Sequence, residues 1–169
     1  MSTDVDSRSI VLYEMPHLET LTLEDIDANS LFQLFSFPVL KTLHIAKCSF
    51  PKREPPEKIW FLNHLQELTI KQCGTTIMSP KLGQLCNLQK LEVDDPIHII
   101  PPQITNCKHL EVLEINNGPT HLLPEIGQIE SLRVLSLKSS TLKALPLEIG
   151  DLSHLETLVV HKIGRASCR

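Results

Sequence analysis

Aromatic residues are scarce in this chain: one tryptophan, one tyrosine and five phenylalanines among 169 residues, or 4%. Binding to single-stranded nucleic acid relies on aromatic platforms for base stacking, and few are on offer here. Positive charge is not in excess either, since 16 Lys and Arg stand against 20 Asp and Glu, a net charge of −4. That balance argues against nucleic acid as a partner. No apolar run approaches the ~18–20 residues of a membrane span. The polar start, Met1 to Arg8, lacks the apolar stretch of a secretory signal. The five cysteines, Cys48, Cys73, Cys86, Cys107 and Cys168, are odd in number and widely spaced. That is a poor disulfide framework, and no N-x-[ST] sequon accompanies it. The expected setting is reducing and cytoplasmic, without membrane attachment.

Catalytic signatures are missing as well. There is no G-x-x-x-x-G-K-[ST] or G-x-G-x-x-G phosphate loop, and no G-x-S-x-G elbow or kinase set. His17, His64, His109 and His154 all recur one residue before a repeated leucine, which marks a structural place and not a ligand set. Cys48 and Cys73 hold equivalent positions, but a metal centre needs about four converging ligands and no nearby residues complete one. No enzyme activity, cofactor or metal is expected.

What the chain does have is leucine in register. The pattern L-x-x-L-x-[LIV] occurs seven times, beginning at Leu18, Leu40, Leu65, Leu88, Leu110, Leu132 and Leu155. These starts lie 22, 25, 23, 22, 22 and 23 residues apart. Three residues before each start sits another apolar residue: Met15, Phe37, Leu62, Leu85, Cys107, Ile129 and Leu152. The second and third apolar positions of each copy are two apart, so they share one face of a short strand. After each strand comes a looser arc with its own apolar marks, such as Ile100-Pro101 with Ile104 and Leu123-Pro124 with Ile126. Proline cannot donate to a strand ladder and fixes φ, so it begins the return arc. Gly83, Gly127 and Gly150 mark tight backbone positions before the next strand.

One such unit buries about five or six apolar side chains, too few to offset the ordering of ~23 residues. Stacked units share strand hydrogen bonds and a continuous interior, so stability accumulates between neighbours. The expected fold is an α/β solenoid of about seven repeats. A curved parallel sheet forms the concave side, and irregular, 3-10 or short helical arcs form the convex side.

The pattern from Met15 to His161 resembles the leucine-rich repeat family. That family often carries Asn or Cys at the ninth position, where the side chain bonds to loop backbone. Here the position holds Ile26, Cys48, Cys73, Pro96, Gly118, Ser140 and Ile163, so irregular turns are expected. Residues 1–14 read as a partial repeat or cap, 15–162 as the repeat domain and 163–169 as a non-repeat tail. That tail, IGRASCR, resembles one reading frame of a sequencing adapter, and the whole is read as a fragment of a longer protein.

The residues flanking the inward leucines face outward and form the candidate partner-binding surface. The expected members are Lys90, Glu92, Asp94 and Asp95 from repeat four, Glu114 and Asn116 from repeat five, and Lys138 from repeat six. They give the middle of the sheet an acidic character suited to a basic partner segment. Trp60 and Phe61, in the long arc from Pro51, form a second candidate anchor.

The segments LKTLHIAKC, LQELTIKQC, LPEIGQIESLRVLSL and LPLEIGDLSHLETLVV resemble the repeat region of plant intracellular nucleotide-binding disease-resistance receptors. That resemblance implies a recognition and autoinhibition module. Its partner would be another protein: a pathogen effector, a guarded host protein or the receptor's own switch domain. Two alternatives are a Ras-pathway-type scaffold of L-P-x-x-I-G-x-L repeats and the substrate-recognition part of a ubiquitin ligase.

Overall fold

A computed structural model describes residues 15–26, 37–138 and 142–161. The proposed terminal segments 1–14 and 163–169 lie outside the described residues. Seven five-residue strands follow the leucine pattern: β1 (Thr20–Glu24), β2 (Thr42–Ala46), β3 (Glu67–Lys71), β4 (Lys90–Asp94), β5 (Val112–Asn116), β6 (Val134–Lys138) and β7 (Thr157–His161). They form one open sheet in the order β1-β2-β3-β4-β5-β6-β7. Every neighbouring pair is parallel.

The register aligns the leucines. Leu21, Leu43, Leu68, Leu91, Leu113, Leu135 and Leu158 form one column across the sheet, each paired with the next. The five interior members are at most 1% exposed. A second column runs through Leu23, Ile45, Ile70, Val93, Ile115, Leu137 and Val160. A slip of one residue in any strand would turn both columns out to solvent, which is why the spacing pins the register.

Each return arc from β2 onward contains a five-residue 3-10 turn: Glu57–Phe61, Pro80–Gln84, Pro102–Asn106, Pro124–Gln128 and Leu147–Asp151. Proline opens three of them, at a position whose N–H would have no partner in the helix. The first four each push a branched aliphatic residue inward, Ile59, Leu82, Ile104 and Ile126, and the first also buries Trp60. Gly83 and Gly127 have a different role from a special turn, because neither has the left-handed φ that favours glycine. Instead they let adjacent arcs touch. A Cβ on Gly83 would sit 2.6 Å from the Gln103 carbonyl oxygen, and one on Gly127 would collide with the Glu148 carbonyl. Gly150 has no such neighbour within 4 Å.

The strand ends are more regular than the ninth positions imply. Asp25, Lys47, Gln72 and Asn117 each take a left-handed φ of 53–60° just beyond a strand. Their N–H groups extend the ladder to the carbonyls of Ala46, Lys71, Asp94 and Lys138. This kink turns the next residue inward, and so Ile26, Cys48, Cys73 and Gly118 are buried. Cys48 Sγ lies 3.2 Å from the Ala46 carbonyl, and Cys73 Sγ 3.2 Å from that of Lys71. The cysteines thus occupy the place of the missing asparagines.

Repeat four breaks the rule because Pro96 follows Asp95. A residue before proline is held to extended backbone, and Asp95 shows no left-handed turn. The side chain that swings inward is therefore that of Asp95, while Pro96 stays exposed.

Candidate partner-binding face

Six of the seven expected site residues share the outward face. Lys90, Glu92 and Asp94 stand on β4, Glu114 and Asn116 on β5, and Lys138 on β6. Register sets Glu92 beside Glu114 and runs a row from Asp94 through Asn116 to Lys138. The seventh, Asp95, does not belong there. It is 2% exposed, and its Oδ1 accepts the backbone N–H groups of Cys73 at 2.9 Å and Gly74 at 3.0 Å. Burial pushes its carboxyl pKa up from the ordinary value, with hydrogen bonds from Thr75, Gly74 and Cys73 pulling the other way. Asp95 is a backbone clamp, placed inside by Pro96.

The expected acidic middle also needs correction, because it is neutralised from within. Two carboxylates in direct register repel each other, and lysines bracket them here. Lys71 Nζ lies 2.7 Å from Glu92, while Lys90 Nζ lies 3.7 Å from both Glu92 and Glu114. Burial opposes ionisation of Glu92, but Lys71 first and Lys90 second outweigh it and hold its carboxyl below the usual range. Lys71 therefore belongs to the charged centre, and only the register across 21 residues reveals it. Asp94 accepts a hydrogen bond from Asn117 Nδ2 at 3.0 Å. The side-chain carbonyl of Asn116 is buried without a donor. Lys138 is exposed and makes no ion pair among the described residues.

Charges flanking the centre are paired across rungs in the same way. Lys41 meets Glu19 at 2.8 Å and Lys47 meets Glu24 at 2.6 Å. Arg133 joins Glu111 at 3.8 Å and also contacts Glu156. Toward β7 the face turns apolar, with Val112 beside Val134 and Val159 beside Ser136. The surface is thus a charge-zipped centre with an aliphatic flank.

The second candidate anchor divides. Trp60 is fully buried in the core, while Phe61 is 49% exposed and lies 6.0 Å from Lys81 Nζ across the ring face. A cavity of about 390 Å³ opens next to the arc, lined by Pro55, Pro56, Trp60, Ser79 and Lys81 among others. His17, His64, His109 and His154 are all exposed at the same place in their repeats. Among the described residues no group of three or more His, Cys, Asp or Glu could hold a metal ion. None of the described helices is long and apolar enough to cross a membrane.

Comparison with known proteins agrees with this architecture. The model of a leucine-rich repeat region matches residues 17–136, more than half of the chain. The chain belongs to the leucine-rich repeat family. Among solved structures it is similar to a leucine-rich repeat protein of Leptospira interrogans, with a TM-score of 0.70 and 24% identity over 93% of this chain and 49% of that one. It is also similar to the Arabidopsis receptor kinase HAESA, solved in complex with the peptide hormone IDA and a co-receptor, with a TM-score of 0.61 and 19% identity. That match covers 91% of this chain and 29% of HAESA. The chain thus spans about half the length of these relatives or less. No curated protein matches the sequence significantly.

Proposed function

We propose that the chain is a non-catalytic protein-recognition module, the sensing and autoinhibitory repeat region of a plant-type intracellular disease-resistance receptor. The observation that carries the reading is the outward face of β3–β5, where Lys71, Lys90, Glu92 and Glu114 form one alternating network on the sheet. Such a surface is preorganised, so a partner meets fixed charges and loses little to reordering the solenoid. A partner cation replaces a lysine over the carboxylates, and a partner carboxylate takes up the released lysine or Lys138. Charge matching of this kind sets register and speeds encounter. The binding residues are Lys90, Glu92, Asp94, Glu114, Asn116 and Lys138. The repeat lengths of 22 to 25 and the strand-closing cysteines Cys48 and Cys73 favour the receptor over a uniform scaffold.

The test joins two observations. The upstream coding sequence of the full-length transcript should encode a phosphate-binding loop. With that switch domain as bait, the double variant Glu92→Lys/Glu114→Lys should be captured at least about tenfold more weakly than wild type. Leu113→Asp serves as the fold control and should unfold the solenoid by placing an unpaired charge in the leucine column. Equal capture of the double variant would overturn the assignment of the face. An adaptor-binding helical motif upstream would overturn the receptor in favour of the ligase.

A further inference from the structure

Cysteine occupies the ninth position in just two repeats, and they are adjacent. β2 and β3 pair residue by residue, from Thr42 with Glu67 to Ala46 with Lys71. One left-handed residue follows each strand, Lys47 at φ 56° and Gln72 at φ 54°. The two backbones therefore step in parallel into Cys48 and Cys73, carrying the strand spacing of about 4.8 Å with them. A disulfide spans Cα atoms about 4.4–6.8 Å apart, so the spacing fits.

The sulfurs are placed alike: Cys48 Sγ lies 3.2 Å from the Ala46 carbonyl oxygen and 3.9 Å from that of Leu23, and Cys73 Sγ lies 3.2 Å from that of Lys71 and 3.8 Å from that of Ile45. They are 0% and 3% exposed, yet Lys47, Ser49, Gln72 and Gly74 on either side of them are exposed. The pair lies one residue beneath solvent, at the end of the sheet. Interaction between the neighbouring thiols lowers the Cys48 pKa, against the opposing effect of burial, and raises that of Cys73. Cys107 is different: burial pushes its thiol up to about 12.

We propose that Cys48 and Cys73 form a dithiol modification site, which hydrogen peroxide oxidises to a cross-rung disulfide. The Cys48 thiolate attacks a peroxide oxygen. An S–O bond forms, the O–O bond breaks, and the departing hydroxide takes up a proton to leave as water. The Cys73 sulfur then attacks the Cys48 sulfenic acid. The S–S bond forms, the S–O bond breaks, and the thiol proton leaves with the hydroxyl as a second water. The two thiols lose two electrons and the peroxide gains them. Thiol reductants reverse the modification by exchange. The product closes a loop around the long arc and fastens rung two to rung three.

The experiment treats the folded full chain with stoichiometric hydrogen peroxide, blocks remaining thiols, and maps cysteine peptides without reduction. The expected result is a peptide pair linked through Cys48 and Cys73, with Cys107 still free. Thermal unfolding should move up by several degrees and return after dithiothreitol. Cys48→Ser and Cys73→Ser should each abolish both the linked pair and the stabilisation. The proposal is overturned if peroxide gives only sulfinic or sulfonic acids at these positions, or modifies Cys86 alone. Linkage that forms only in denaturant overturns it as well, since the native contact would then have no part in it.

Discussion

The Asp95 carboxylate binds the backbone N–H of Cys73, 22 residues earlier in the chain, at 2.9 Å. One side chain thereby finishes the turn of the preceding rung. The same carboxylate takes the Gly74 N–H, so two backbone donors, that of Cys73 buried, depend on a single acceptor group.

Removing that group should be costly. Asp95→Ala leaves those backbone donors unsatisfied and should lower stability by about 1–3 kcal/mol. Asp95→Asn keeps one acceptor oxygen and should fall between the variant and wild type. Urea unfolding of the three proteins measures the order. An Asp95→Ala protein as stable as wild type would mean that the carboxylate has no part in holding the turn.

The glycines of the arcs should separate by their neighbours. Gly83→Ala forces a Cβ against the Gln103 carbonyl oxygen, 2.6 Å away. Relieving that overlap shifts one arc from the next, at about 1–3 kcal/mol. Gly150→Ala meets nothing within 4 Å and should be neutral, or stabilising by up to about 1 kcal/mol through the unfolded chain. Thermal scans of the two variants decide it, and equal effects would contradict the packing role.

Glu92 should leave a trace in the pH dependence of folding. Its folded pKa lies below the ordinary 4.5 because Lys71 and Lys90 outweigh burial. A lowered carboxylate pKa contributes stability above the unfolded value and loses it as pH falls through the folded one. Wild type should therefore exceed Glu92→Gln by ~0.5–1 kcal/mol near neutrality, a modest figure because the lysine partners are partly exposed. The gap should close in acid below the lowered pKa, and it should shrink in high salt. A gap that widens on acidification would rule out the ion-pair network as its source.

The sequence made the column from Leu43 to Leu135 legible because a period of two within each strand and 22 to 25 between strands leaves one register. Outward placement of Lys90, Glu92, Asp94, Glu114, Asn116 and Lys138 followed from the same alternation. Asp95 was misread because alternation describes a strand, and the strand has already ended at Asp94. The signal that could have found it is the Asp-Pro dipeptide, which bars the left-handed turn used after β1, β2, β3 and β5. The neutralised centre was hidden for a different reason. Lys71 and Glu92 are far apart in the chain, and their contact exists only once β3 and β4 are set side by side. Trp60 and Phe61 look alike as adjacent aromatics, but the 3-10 turn points one into the core and the other out.

Strand order here is identical to chain order, and each strand bonds solely to its predecessor and successor. A tandem duplication of a single unit would consequently create no unfamiliar junction, since the inserted copy meets the flanks its parent already met. Genes of this design can lengthen or shorten by unequal exchange and still encode a foldable product. The exceptions are units with private features, such as the clamp that Asp95 extends to its upstream neighbour, which must be inherited as a pair.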